Sequence, residues 1–209
     1  MNGDNLELDW ETVEKRLESA LNEALAILED PSLTLCVDKD GVKVWGKVTS
    51  RGYQLRTKWQ CTASKEKFIK FVRNFGNRPK WDSNVQESRV LSRLSASTAI
   101  VYQQYKKVFA VSSRDILLAC KTYTQENGLI EVSTSVESQA FPARDPVIRA
   151  KVYTGGYLVE EGDGSATEVT AFSEMDFGGV LPQAAMMRMS GLAMPAFARS
   201  INAALDKAI

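Results

Sequence analysis

The sequence predicts an α+β protein: a curved, nine-stranded antiparallel sheet wrapped around a long C-terminal helix. Three observations carry that prediction. Helical periodicity is confined to the two ends of the chain and one short insert. Between them lie strand-sized segments joined by short turn signals, and strands joined this way run antiparallel. A sheet of that many strands is too long to lie flat, and its apolar face needs a cover.

The elements follow in order. Trp10, Val13, Leu17, Leu21, Ala24 and Leu28 keep helical spacing, with Asp9 as N-cap and Pro31 after the end, so a helix spans roughly 10–29. "LTLCVDKDGVKVWGKV" is a hairpin turning at Asp40-Gly41. "YQLRTKWQC" alternates, with Tyr53, Leu55, Thr57, Trp59 and Cys61 on one face. "SKEKFIKFVRNF" is a short amphipathic helix capped by Ser64, its apolar side Phe68, Phe71, Val72 and Phe75. "NRPKWDSN" is a tight connector. There Arg78 precedes a proline, which favours extended geometry, and Pro79 opens one helical turn with Trp81 and Asp82. Six strands are expected at 85–94, 98–106, 114–124, 129–137, 147–159 and 166–176, with turns at Ser95-Ala96-Ser97, Asn127-Gly128, Pro142 with Pro146, and Asp163-Gly164. The last helix spans about 182–208. No repeat or linker divides the chain, so residues 1–209 read as one domain.

Composition excludes several function classes. Lys+Arg and Asp+Glu both number 26, so no basic field attracts nucleic acid or an anionic membrane. There is no histidine, which removes Ser-His-Asp and Cys-His nucleophilic sites and His-ligated metals. Cys36, Cys61 and Cys120 lack paired spacing and read as reduced strand residues in a cytosolic protein. No apolar run reaches the roughly 18–20 residues a spanning helix needs. "MNGDNLELDWETVEKRLESA" is not a signal peptide, and Asn2 excludes N-myristoylation.

The element order and five stretches resemble the START (StAR-related lipid-transfer) domain, of the helix-grip fold. They are "RPKWDSNV" (78–85), "SSRDILL" (112–118), "SVES" (135–138), "VIRAKVYTGGYLV" (147–159) and "EMDFGGVLPQAA" (174–185). They occur in the family's order with family-like spacing and cover nearly the whole chain from about Leu8. The resemblance implies a hydrophobic tunnel between sheet and C-terminal helix that encloses one lipid. It implies transfer or sensing, not chemistry. The physical need is clear, since each exposed CH₂ costs about 0.8 kcal/mol and a chain of ~16 carbons on the order of 10 kcal/mol.

The resemblance also points to site residues. Arg78 and Asp82 sit where phospholipid-binding relatives use an R-x-x-x-D pair, the arginine facing a phosphate. Their other reading is a surface ion pair or helix capping. Arg114 and Asp115 match the family's RD pair, but adjacent strand residues face opposite ways, so at least one is structural. Arg149 reads as a fold signature. Gln103 and Cys120 stand where cholesterol-type relatives place a buried acid and arginine. Gln103 still offers a donor and an acceptor, or else faces solvent. Of a phosphatidylcholine-type aromatic cage, only Tyr153 remains as a candidate.

Two segments are candidate lids. "KKVFAVSS" (106–113) joins two strands, and its Val108, Phe109 and Val111 are apolar for a connector, read as membrane contact or a buried strand end. On the C-terminal helix, Arg188, Gly191, Pro195, Arg199, Asn202 and Asp206 form the expected solvent stripe. Met186, Ser190, Ala193, Phe197, Ile201 and Ala204 form the opposite side. Met186, Met189, Ala193 and Phe197 are ligand-lining candidates, and Met187, Met194 and Pro195 candidates for lid or membrane contact. Methionines adapt in shape, and Pro195 removes one backbone bond; the plainer reading of such a face is ordinary core. The expected function is lipid binding and transfer, of a sterol or phospholipid, by a cytoplasmic monomer that touches membranes transiently and uses no cofactor. The alternatives are a hydrophobic-ligand sensor and, third, a helix-grip cyclase or hydrolase.

Overall fold

The structure of the protein is a computed structural model that describes residues 6–107, 112–162, 166–179 and 183–207, with 183–192 described by backbone alone. Helix α1 (Trp10–Glu29) opens the chain, and Asp9 caps it by accepting from the Glu11 N–H. Strands β1 (Thr34–Lys39), β2 (Val42–Thr49) and β3 (Gly52–Cys61) follow. The β1–β2 turn holds Asp40 and Gly41 at φ 54° and 73°, the left-handed pair that a two-residue hairpin demands. Helix α2 (Lys65–Val72) starts where Ser64 accepts from the Lys67 N–H. A 3₁₀ turn (Phe75–Asn77) runs straight into α3 (Arg78–Trp81). Strands β4 (Val85–Arg93), β5 (Thr98–Tyr105), β6 (Arg114–Gln125), β7 (Gly128–Ser135), β8 (Ile148–Arg149), β9 (Lys151–Glu161) and β10 (Thr167–Asp176) lead to α4 (Gln183–Lys207).

Nine strands lie in the order β1-β2-β3-β10-β9-β7-β6-β5-β4, every neighbour antiparallel. The two-residue β8 pairs with β6 in parallel and is the one piece the sequence reading merged into its neighbour. The outer face carries α1. Val13 and Leu17 pack on Ile100, Leu117 and Ala119, while Ala20, Ala24 and Ile27 pack on Ile130, Val132 and Phe172. The inner face carries α2, α3 and α4, with Phe68, Val72, Trp81, Ala198, Ile201 and Leu205 on Val44, Trp59, Val159 and Val169. A second inner cluster joins Phe75 to Val101, Ile116, Leu118, Cys120 and Val152.

Three local expectations change. Arg78 is helical (φ −53°, ψ −42°) although it precedes a proline. The incoming 3₁₀ turn and the bond from the Asp82 N–H to the Arg78 carbonyl (2.9 Å) outweigh the local preference for extended backbone. The outward face of α4 is rotated from the expected stripe. Arg199 and Asp206 are exposed as expected, but Pro195 is buried and Ala193 is exposed. Ala196 and Ala203 also face outward, so polarity alone misplaced the centre of that face. Tyr153 moves to the outer face. Thr154 opposes Glu174 and Val152 opposes Met175, so Tyr153 is the extra residue of a bulge.

Candidate functional site

Helical geometry at Arg78 decides the inner-face site, because residues i and i+4 share a helix face. Arg78 Nε and Nη2 donate to Asp82 Oδ2 at 3.2 and 3.1 Å, and Nη1 donates to the Tyr157 hydroxyl at 3.3 Å. The side chains are only 14% and 6% exposed, so this is no surface pair. The guanidinium lies 4.9 Å from the Trp81 ring and 5.5 Å from the Phe197 ring. Tyr157 stacks on Phe197 at 6.5 Å, and Trp59 meets Phe197 edge-on at 6.3 Å. Four segments thus build one aromatic box: β3, α3, β9 and α4. Its occupant is the chain's own Arg78.

Beside the box, Gln103 is buried rather than facing solvent. Its Oε1 accepts from the Tyr105 hydroxyl at 3.0 Å. Burial pushes the Tyr105 phenol up to about 12, against the opposing pull of the Arg78 charge. Ser88 lies directly across the ladder from Gln103, and its buried Oγ has no hydrogen-bond partner. The Trp81 Nε1–H and the Thr57 hydroxyl are buried and unpartnered in the same way. Farther along, Arg73 Nη1 donates to both oxygens of Glu131 at 2.7 and 2.8 Å. Burial still raises the Glu131 carboxyl above its ordinary value, with Arg73 opposing.

The remaining expected residues are structural or lie elsewhere. Arg114 donates to the carbonyls of Ser112, Phe177 and Gly178, clamping the β6 start to the segment before α4. Asp115 takes two bonds from Arg149 at 2.7 and 3.0 Å, pinning β8 to β6. Tyr153 is not a cage member: it sits under Arg51 at 4.5 Å, and Arg51 bridges Glu23 of α1 and Glu174. Ala193 points to solvent, whereas Phe197 lines the box and Met194 packs on the inner cluster. Val108, Phe109 and Val111, the Asp163-Gly164 turn, and the side chains of Met186, Met187, Arg188, Met189, Ser190 and Gly191 lie outside the described residues. Sequence reasoning missed Tyr157, Tyr105, Trp59 and Ser88. Alternation marked Trp59 as inward, but nothing in the chain order signalled that it would meet Phe197.

Among the described residues, no helix is long and apolar enough to cross a membrane. A START domain family model matches residues 33–208. START domain-containing protein 10 of Mus musculus is 23% identical over 165 residues, 77% of this chain and 57% of its own length. The chain therefore spans little more than half of that relative. Among solved structures, human StAR-related lipid transfer protein 5 superposes with a TM-score of 0.87 at 20% identity, covering 95% of this chain and 99% of that one. Human STARD10 gives 0.80 at 21% identity, covering 91% and 79%. The sheet, the helix laid across it and the family match agree: the fold is the helix grip, and the chain belongs to the START domain family.

Proposed function

We propose that the protein binds one lipid, a sterol or phospholipid, between the inner face of the sheet and α4, and transfers it between membranes without chemical change. The observation that carries this reading is the make-up of the inner face. Apolar side chains from Phe75 to Val152 form a cluster to which no described α4 side chain contributes. The described α4 side chains from Met194 onward pack instead on the neighbouring cluster. An apolar surface adjoining a helix of Met, Ala and Gly suits an acyl chain or sterol body. The polar groups around Gln103 suit its head. The family supports lipid binding, and the absence of histidine from the sequence supports carriage over catalysis.

In this reading α4 and the 107–112 loop close over the lipid, and the zero net charge makes membrane contact brief and apolar. The protein works in the cytoplasm as a monomer. The test is transfer of fluorescent sterol and fluorescent phospholipid between neutral liposomes. Movement of at least one probe well above that with denatured protein is expected; equality for both would sink the proposal. Phe109→Asp is expected to slow transfer while leaving the thermal melt unchanged. Undiminished transfer would remove the loop from the mechanism.

A further inference from the structure

The turn between β4 and β5 gathers groups that hold a phosphate. Residues 88–113 contain no Asp or Glu, although the whole chain balances its charges. Arg93, Leu94, Ser95 and Ala96 are exposed, and β4 ends the sheet, with a strand on one side only. Both features leave the segment open to another enzyme's active site. The Ser95 hydroxyl oxygen accepts from the backbone N–H groups of Ser97 and Thr98 at 3.1 and 3.0 Å, so two amide dipoles already converge on it. Arg93 stands two residues before it.

A second cation comes from the end of α2. Arg73 Nη2 donates to the Ala96 carbonyl at 3.3 Å, next to Ser95 in the chain. Its Nη1 donates to Glu131 and to Thr122 Oγ1, and the Thr122 N–H donates to the Ser97 carbonyl at 3.2 Å. The guanidinium is thus fixed beside the turn, with Glu131 on Nη1 and a neutral carbonyl on Nη2. A phosphate oxygen is a stronger acceptor than that carbonyl and can take Nη2 without displacing Glu131 from Nη1.

We propose that Ser95 is a phosphorylation site whose phosphate is held by the Ser97 and Thr98 amides and Arg73, tying the edge hairpin to α2. A protein kinase that selects arginine ahead of its target transfers the γ-phosphoryl group of ATP. The Ser95 Oγ–P bond forms, the bridging P–O bond breaks with its electron pair leaving on ADP, and the hydroxyl proton passes to the kinase's base.

The test treats the full chain with ATP and the catalytic subunit of cAMP-dependent protein kinase, and maps phosphate by tandem mass spectrometry. Phosphate on Ser95 is expected, and Ser95→Ala should lose it. No incorporation at Ser95, or incorporation confined to Ser92 or Ser97, would overturn the proposal. Phosphorus NMR then titrates phosphorylated Ser95 in the folded chain and in a phosphopeptide of residues 88–100. The second phosphate pKa, ordinarily about 6, should lie about one unit lower in the folded chain, because cations and amides favour the dianion. Equal midpoints would refute capture of the phosphate. Arg73→Lys keeps the charge but loses the fork, so it should return the midpoint toward the peptide's; an unmoved midpoint would refute the role of Arg73. If that variant does not fold, the comparison with the peptide alone decides.

Discussion

The Arg78–Asp82 pair allows a sharp energetic test, because its two readings differ in magnitude. An exposed i,i+4 pair contributes about 0.3–0.5 kcal/mol. Here the side chains are 14% and 6% exposed, and two N–H···O bonds join them. Arg78→Met keeps the stem against Trp81 and Phe197 but leaves the Asp82 carboxylate with the Asn84 N–H at 3.2 Å. Asp82→Leu leaves the guanidinium with one tyrosine hydroxyl and two rings. Each single change should cost about 3–5 kcal/mol, the penalty for stranding one partner of a buried pair. The double variant removes both charges together. Its residual cost, about 1–2 kcal/mol, comes from lost hydrogen bonds to Tyr157 and the exposed Asn84 N–H. The expected coupling is therefore at least ~3 kcal/mol. Equilibrium urea unfolding of the four proteins, with unchanged slopes, measures it. A coupling below about 1 kcal/mol would show that the pair behaves as a surface bridge and that the aromatic box is not dry.

Other expectations are quickly stated. Ile201 is fully buried where α4 meets the inner cluster, so Ile201→Ala should lower stability by about 2–5 kcal/mol; a loss below about 1 kcal/mol would mean that end of α4 is not seated. Gly156 has φ +153°, and a Cβ there would stand 1.8 Å from the Glu131 carbonyl oxygen. Gly156→Ala should therefore unfold the protein or shift its melt by many degrees, and a wild-type melt would refute the β7–β9 register. Hydrogen bonds from Lys47 and Ser32 hold the Asp30 carboxyl down at about 2, against an ordinary value of 3.8. A lowered carboxyl contributes stability in full above its ordinary value and loses it as pH falls toward 2. The melting temperature of Asp30→Asn should thus fall less steeply than that of wild type between about pH 4 and 2. Parallel slopes would contradict the assignment.

What could be read from the chain was what depends on near neighbours. The caps at Asp9 and Ser64, the Asp40-Gly41 turn and the inward row Tyr53 to Cys61 rest on residues two to four apart. The failures share a cause of the opposite kind. The bulge at Tyr153 carries no Gly or Pro signal of its own and follows from pairing with β10, some twenty residues away. The helical turn at Arg78 overrides a local proline rule because the preceding 3₁₀ turn delivers the chain already wound. Glu131 and Arg73 are 58 positions apart, so no periodicity links them. The site is harder to read than the fold because four distant segments meet in it.

That convergence constrains how α4 can move. Phe197 closes the box over Arg78, the Ser200 hydroxyl donates to the Trp81 carbonyl, and Asn202 accepts from Trp59 Nε1–H at 3.3 Å. Ala198, Ile201 and Leu205 are fully buried below them. Swinging the whole helix away would break every one of these contacts and strip the Phe197 face from a buried cation, a large loss against the marginal stability of a domain. An opening that keeps residues 197–205 seated must instead bend α4 on their amino-terminal side. Pro195 provides the place, since it has no N–H for the Gly191 carbonyl and its ring crowds that turn. Pro195 itself is buried. The carboxyl-terminal half of α4 and the Arg78 box are therefore one construction, and neither can be displaced without the other.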